Sequence, residues 1–208
     1  MKTFIKGLIK ENPLFTLYLG ICSALAISTT LDNALGLGLT VVVVLTLTKF
    51  VVSLLGKMIS EEIIIPVSMI VGATLVKCMD LLLQAYTPSL SSSLGVFLPL
   101  IVVSGMFLVD TNEKQGIAGS IMDGLGKGLG YTLGLVIVSV IRQFLATGTL
   151  LLTNPFTNTT IFNIGLSEGF VSKYGIAFFR EPAGAFLVCG LVAALFVAIN
   201  HNKGKENK

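Results

Sequence analysis

The 208-residue sequence predicts an all-α integral membrane protein, with six transmembrane helices arranged as two inverted three-helix repeats. Three observations carry that prediction. Hydrophobic residues make up 53% of the chain and charged residues 12%, against about a quarter charged in soluble domains, and the mean hydropathy is +0.90. Apolar runs long enough to approach or cross a hydrocarbon core, about 20 residues, recur six times. A glycine-rich helix opening, Asn33-Ala34-Leu35-Gly36-Leu37-Gly38-Leu39, returns as Asp123-Gly124-Leu125-Gly126-Lys127-Gly128-Leu129.

The first span is expected over about Pro13 to Leu31. Only Asp32 and Asn33 separate it from the second, about Ala34 to Leu55, so the first segment reads as a half-helix or re-entrant element. The third covers Ile63 to about Ala85. The uncharged stretch Thr87-Pro88-Ser89-Leu90-Ser91-Ser92-Ser93 reads as an outer loop. The fourth span, Leu94 to about Val109, holds Pro99, which removes a backbone donor and kinks a helix, and Gly105. Backbone that is irregular at membrane depth must be buried in protein, so this too reads as a broken half-helix. The fifth runs from about Ser120 to Leu145 and the sixth from about Ile176 to Asn200. The Thr- and Asn-rich stretch between them, 147–175, reads as an outward loop. The repeated motif opens the second and fifth spans and divides the chain into units of about 11–86 and 94–200. Each unit holds three spans, an odd number, so the second is inverted relative to the first, the pattern of transport proteins whose sites lie between the halves.

Positively charged residues near span ends set orientation. Lys2, Lys6, Lys10, Lys57, Lys114, Lys127, Lys203, Lys205 and Lys208 fall on one side, and Lys173 and Arg180, with Arg142, on the other. Both termini are therefore expected in the cytoplasm, with the chain in the cytoplasmic (inner) membrane. The three amino-terminal lysines resemble a signal-peptide n-region, but no small-x-small cleavage site follows and the segment reads as a retained span. The net charge of +3 sits at span ends and termini, so lipid is the expected surroundings and nucleic acid is not an expected partner.

Cys22, Cys78 and Cys189 lie in apolar runs, with no disulfide or zinc spacing. Cysteine in such a run is commonly a small packing hydrophobe. The other reading, open for Cys22, is a metal thiolate completed by another chain. Lys77 and Asp80, three apart on one helix face, have two open readings: intramembrane charges that mark an ion path, or a pair snorkelling to the interface. Arg142 reads as an anchor at a helix carboxyl end, favoured by the dipole. Gly36-Leu37-Gly38 lacks the strand context of a dinucleotide fingerprint. No nucleophile–base pair or histidine cluster is present.

Several segments resemble one family. They are Glu11-Asn12-Pro13, Leu19-Gly20-Ile21-Cys22-Ser23-Ala24-Leu25-Ala26, the Asn33–Leu39 motif, Asp80-Leu81-Leu82-Leu83 with Ala85-Tyr86, Leu94-Gly95-Val96-Phe97-Leu98-Pro99-Leu100-Ile101, the Asp123–Gly130 motif and Gly148-Thr149-Leu150. In this order they are similar to the E subunit of the Rnf electron-transport complex and its relative, the D subunit of the sodium-translocating NADH:quinone reductase. The resemblance implies a six-span protein paired with a homologous Rnf A-type subunit of opposite orientation. It also implies flavin-bearing and ferredoxin-like partner subunits, and an intramembrane [2Fe–2S] cluster held by two cysteines from each membrane chain. Ferredoxin and NAD would be the end partners, with sodium or protons moved.

Cys22 matches the family's first cysteine, and Gly20 and Gly105 fall at the two half-helices. The second cysteine, which follows an Asn in the family, is replaced here: Asn-Cys reads Ser104-Gly105. The family's Gly-Arg-Ala-Glu reads Val109-Asp110-Thr111-Asn112-Glu113, and its Arg-Glu reads Arg142-Gln143. Three readings are open at the metal site: a cluster with a substitute fourth ligand such as Ser104, a single iron, or no metal. The last corresponds to a divergent paralogue acting as a structural or transport subunit. A generic inverted-repeat solute transporter is the third functional alternative.

Overall fold

The computed structural model describes residues 14, 20–55, 60, 62–95, 97–103, 117–147, 149–153, 160–165 and 181–206. In chain order these form α1 (Ile21–Ile27), α2 (Leu31–Leu55), α3 (Ile64–Tyr86), α4 (Pro88–Leu94), α5 (Phe97–Val103), α6 (Ile117–Thr147), β1 (Thr149–Thr153), β2 (Thr160–Gly165) and α7 (Pro182–Glu206). Three helices are long and apolar enough to cross a membrane: α2, α3 and, over Ile117–Ala146, α6; α7 contributes a shorter apolar stretch, Pro182–Leu195.

Within the first and fourth expected spans the described residues form α1 and α5; residues 15–19 and 104–109 of those spans lie outside the described residues. The helices α1 and α5 have seven residues each. At 1.5 Å per residue α1, whose two ends are described, is about 10 Å long, a third of a hydrocarbon core. Leu31, given to the first span by the sequence reading, instead begins α2. Thr30 caps that helix, its Oγ1 accepting the Asn33 N–H at 3.4 Å, and Asp32 in the first turn complements the dipole.

Two stretches read as loops are ordered differently. The expected outer loop at 87–93 is largely the helix α4. Pro88 stands at its first position, where a missing N–H costs nothing. Leu90 and Leu94, one turn apart, are buried, and Leu90 lies so close to Gly36 that a Cβ there would meet its side chain at 2.7 Å. Gly95, with φ 39°, then ends the helix in a conformation that favours glycine. Within the expected outward loop, β1 and β2 form an antiparallel hairpin, with Thr149 opposite Gly165 and an irregularity between Leu152 and Thr153. The helical protein expected from the sequence thus bears, in addition, one two-stranded hairpin. The runs Thr-Leu-Leu-Leu-Thr and Thr-Ile-Phe-Asn-Ile carry the aliphatic and β-branched residues that strands favour.

The helices α2 and α6 form the centre, packed directly on glycine. A Cβ on Gly128 would stand 2.8 Å from the Val42 Cα, and one on Gly124 would stand 3.0 Å from the Thr46 Cα; Gly38 faces Thr132. The α2 positions rise by four as the α6 positions fall by four, so the helices run antiparallel. Small residues at four-residue spacing let backbones approach in this way. Around this pair lie Leu37, Val41 and Val44 from α2, Leu135 and Val138 from α6, Leu98 and Ile101 from α5, and Val188 from α7. On the opposite face of α2, Leu39, Val43, Leu47 and Leu54 are exposed. Gly128→Ala is expected to destabilise the protein by about 1–3 kcal/mol through overpacking against backbone. Gly190→Ala is its control, because nothing lies within 4 Å of a Cβ there. Thermal unfolding in detergent should separate the two; equal midpoints would mean that the helices simply move apart.

Candidate functional site

The short helix α1 carries Cys22 in its first turn, and its geometry starts at Gly20. That residue has φ 78°, a left-handed conformation open to glycine at little cost. Ser23 Oγ donates to the Gly20 carbonyl at 2.9 Å. Tyr131 of α6 reaches the same point, its hydroxyl 2.9 Å from Ser23 Oγ and 3.3 Å from the Gly20 carbonyl. With the serine proton committed to the carbonyl, the Tyr131 proton goes to Ser23 at the shorter distance. Tyr131 is fully buried, and a phenol hydroxyl there needs such a partner. Two neighbours of Cys22 in sequence are thus fixed, and the Cys22 thiol itself is exposed.

Arg142 holds the other end of α1. Its Nη1 donates to the Leu25 carbonyl at 2.7 Å and to Ser28 Oγ at 3.0 Å, and its Nη2 donates to the Glu181 carbonyl at 3.3 Å. The sequence reading of Arg142 as a helix-end anchor is corrected: the residue is 2% exposed and satisfies carbonyls at the end of α1 and just before α7. The adjacent Gln143 accepts the Leu31 N–H through Oε1 at 3.0 Å, filling one of the donors that a helix start leaves open. The helix α6 therefore grips α1 at both ends and the start of α2.

A third polar group lies nearer the beginning of α6. Asp123 Oδ2 accepts from Lys49 Nζ of α2 at 2.9 Å and from Lys127 Nζ at 3.0 Å. The side chains of Lys127, Asp123 and Lys49 are 2%, 7% and 11% exposed. Lys127, counted from the sequence among the lysines near span ends, is buried beside a carboxylate, because a charge brought into a packed interface is kept only with a partner. The i,i+4 spacing of Asp123 and Lys127 was a signal for this pair, whereas nothing local connects either to Lys49.

The remaining candidates do not join this arrangement. Lys77 bonds Asp80 at 2.8 Å with its own side chain 66% exposed, and Gln84 also donates to Asp80 at 3.1 Å. Cys78 is exposed on the same helix, and Cys189 of α7 is buried beside Leu25 and Ala185. Ser104 and Gly105 lie outside the described residues. Among the described residues no group of three or more His, Cys, Asp or Glu side chains gathers as a metal site. An exposed thiol on a braced turn suits a ligand shared with another chain; Gly105, without a side-chain donor, does not supply a second.

Tyr131→Phe removes only the hydroxyl. The expected cost is about 1 kcal/mol, the typical net worth of one hydrogen bond, with faster alkylation of Cys22 by a maleimide as the Gly20 turn loosens. An alkylation rate equal to that of the unaltered protein would show that Tyr131 does not hold the turn.

Fold and site together define a polytopic helical membrane protein in which a cysteine-bearing short helix is braced by a long, polar-striped central helix. The profile of the family described as "Rnf-Nqr subunit, membrane protein" matches residues 1–193, and the chain belongs to that family. It is 38% identical to the E subunit of the Na(+)-translocating ferredoxin:NAD(+) oxidoreductase complex of Acetobacterium woodii, over 94% of each chain. It is 36% identical to the E subunit of the ion-translocating oxidoreductase complex of Methanosarcina acetivorans, over 98% of this chain and 91% of that one. Identity to the E subunit of the proton-translocating ferredoxin:NAD(+) oxidoreductase complex of Clostridium ljungdahlii is 34%, over 97% and 90%.

Proposed function

We propose that this chain is the E-type membrane subunit of an Rnf-type complex that couples electron transfer between ferredoxin and NAD to cation translocation. We further propose that Cys22 binds iron in a [2Fe–2S] cluster shared with a homologous membrane subunit of opposite orientation. The observation that carries the reading is the placement of Cys22: an exposed thiol on a seven-residue helix, with its neighbours Gly20 and Ser23 fixed from α6. The family match and the relatives' names support the assignment to the complex.

The cluster supplies one-electron transfer when bound, and such clusters take four ligands. This chain's part is to present the Cys22 thiolate at a subunit boundary and hold its direction. Tyr131 and Ser23 fix the turn before it, and Arg142 fixes the helix after it. Partners that orient a ligand in this way govern a metal site nearly as much as the ligand does. Catalysis on NAD and ferredoxin belongs to the flavin-bearing and ferredoxin-like subunits.

The proposed topology is six spans as two inverted repeats in the cytoplasmic membrane, both termini cytoplasmic. The register of the central helices supports it. Matching the two motifs equates Gly38 with Gly128 and Val42 with Thr132. Exchanging α2 for α6 then carries the Gly38–Thr132 contact onto the Gly128–Val42 contact, as a two-fold axis between inverted halves requires.

Gly105 favours a second reading, a paralogue that keeps the scaffold as a structural or transport component without the cluster. Iron and sulfide analysis with EPR on the intact complex decides between them. The first reading expects a cluster signal at this subunit pair that Cys22→Ala abolishes; no iron, with electron transfer untouched in Cys22→Ala, gives the second.

A further inference from the structure

The exposed face of α3 is built differently from those of the other long helices. On α2 the exposed residues are Leu39, Val43, Leu47, Phe50 and Leu54, and on α6 they include Leu129, Leu133 and Ile137, large apolar side chains that lipid solvates. On α3, Ile70, Thr74, Lys77, Leu81 and Gln84 are exposed. Their alternating spacings of four and three residues keep them within an arc of about 80° at 3.6 residues per turn, the seam spacing of a helix that packs on another. Ala73, Cys78 and Ala85, also exposed, flank the seam, and small residues let a second helix approach closely. The buried residues Ser68, Gly72 and Val76 lie on the other side of α3, toward the rest of the chain.

Charge at membrane depth sets this seam apart. At 1.5 Å per residue Lys77 stands about 20 Å from Ile64 and about 14 Å from Tyr86, deep within a hydrocarbon core about 30 Å thick. Its ammonium does not run on to the end of the helix. It bonds Asp80 at 2.8 Å, a residue still about 9 Å short of Tyr86, and Gln84 donates to the same carboxylate oxygen. The group is ion-paired within itself, yet the Lys77 side chain is 66% exposed, and Asp80 uses one of the three donors that a lysine carries. Charged side chains within a membrane face protein or a water-filled cavity, not lipid.

On the reading of the chain as one subunit of a membrane complex, on which this rests, we propose that the seam of α3 is the docking surface for a membrane-spanning helix of a different subunit, one that offers Lys77 an uncharged side-chain oxygen from Asn, Gln, Ser or Thr. Lys77 and Asp80 already balance each other, so a further carboxylate brought into the contact would be a charge without a partner. A neutral oxygen fills the remaining donors without that cost. A second copy of this chain does not fit. A two-fold contact about the membrane normal would set each Lys77 against its equivalent at the same depth, two ammonium groups in a contact with little water.

The test uses the whole complex, with benzoylphenylalanine in place of Leu81 and irradiation in the native membrane before purification. The expected product joins this chain to a different subunit of the same complex. Peptide mapping is expected to find the joined segment in a membrane-spanning helix, with an Asn, Gln, Ser or Thr within one turn of the attachment point. A product with lipid alone, with a second copy or within the chain overturns the docking surface, as does a partner helix that carries no such oxygen there. Substituting Lys77→Leu together with Asp80→Leu removes the charges and leaves a face that lipid accepts. The pair is expected to lower the copurifying partner subunit by about fivefold or more, with this chain's level in the membrane unchanged; full recovery of the complex means that α3 faces lipid and overturns the proposal. Where that variant fails to accumulate, the cross-link decides. If no other subunit copurifies with the unaltered chain, the functional reading falls, and the docking surface with it.

Discussion

Arg142→Met should lower stability by about 3–5 kcal/mol, the range seen when one partner of a buried charged network is removed. The Leu25 carbonyl, Ser28 Oγ and Glu181 carbonyl all lose a donor together, inside a region where water does not replace it. Each acceptor left bare costs about 1–3 kcal/mol, offset in part because methionine carries no charge to desolvate. Arg142→Lys is expected to rescue little. A single ammonium does not reproduce the planar fork that spans α1 and the residue before α7. The measurement is thermal unfolding in detergent, paired with the alkylation rate of Cys22. A midpoint within a degree of the parent would show that α1 is held by packing alone. If the arginine does hold it, both variants unfold early and Cys22 reacts faster, because the half-helix loses its carboxyl-terminal tether.

The long helices were legible in the sequence because their signal is local. Hydropathy located α2, α3 and α6 to within a few residues, and the near absence of residues between the first two spans marked the short helix α1. The serine-rich stretch at 88–94 gave no such signal. Its helix depends on Leu90 and Leu94 meeting a surface that includes Gly36, a contact formed only when the chain is folded. Within the candidate site, resemblance to a known motif drew attention to Cys22 and Gly20, and the residues that brace them were obscure because they are distant. Arg142 and Tyr131 act mainly on backbone carbonyls and a serine more than one hundred positions away. Any residue type presents a carbonyl, so no pattern of side chains announces the pairing. Repetition, by contrast, left a visible trace: Gly38 and its counterpart Gly128, which recur in the two motifs, both lie where α2 and α6 pack.

Asp123→Ala should be the most damaging substitution at the central interface. It removes the carboxylate oxygen shared by Lys49 and Lys127 and leaves two ammonium groups near each other between α2 and α6. Breaking a buried ionic group from one side costs about 3–5 kcal/mol, because the remaining charges keep their desolvation penalty and lose the Asp123 share of the attraction that offset it. The cost should therefore come from the stranded charge more than from the lost bonds, and a second substitution distinguishes these. Adding Lys127→Met to Asp123→Ala removes one stranded charge and fills its space with a flexible apolar chain. The double variant is expected to be more stable than Asp123→Ala alone, although it departs further from the native sequence. The two positions are one helical turn apart, close enough that their effects need not add. Unfolding midpoints of the parent, both single variants and the double variant give the coupling directly. Additive losses would mean that the lysines are not stranded and that the group serves as ordinary packing; recovery in the double variant would identify charge balance as what holds α2 against α6.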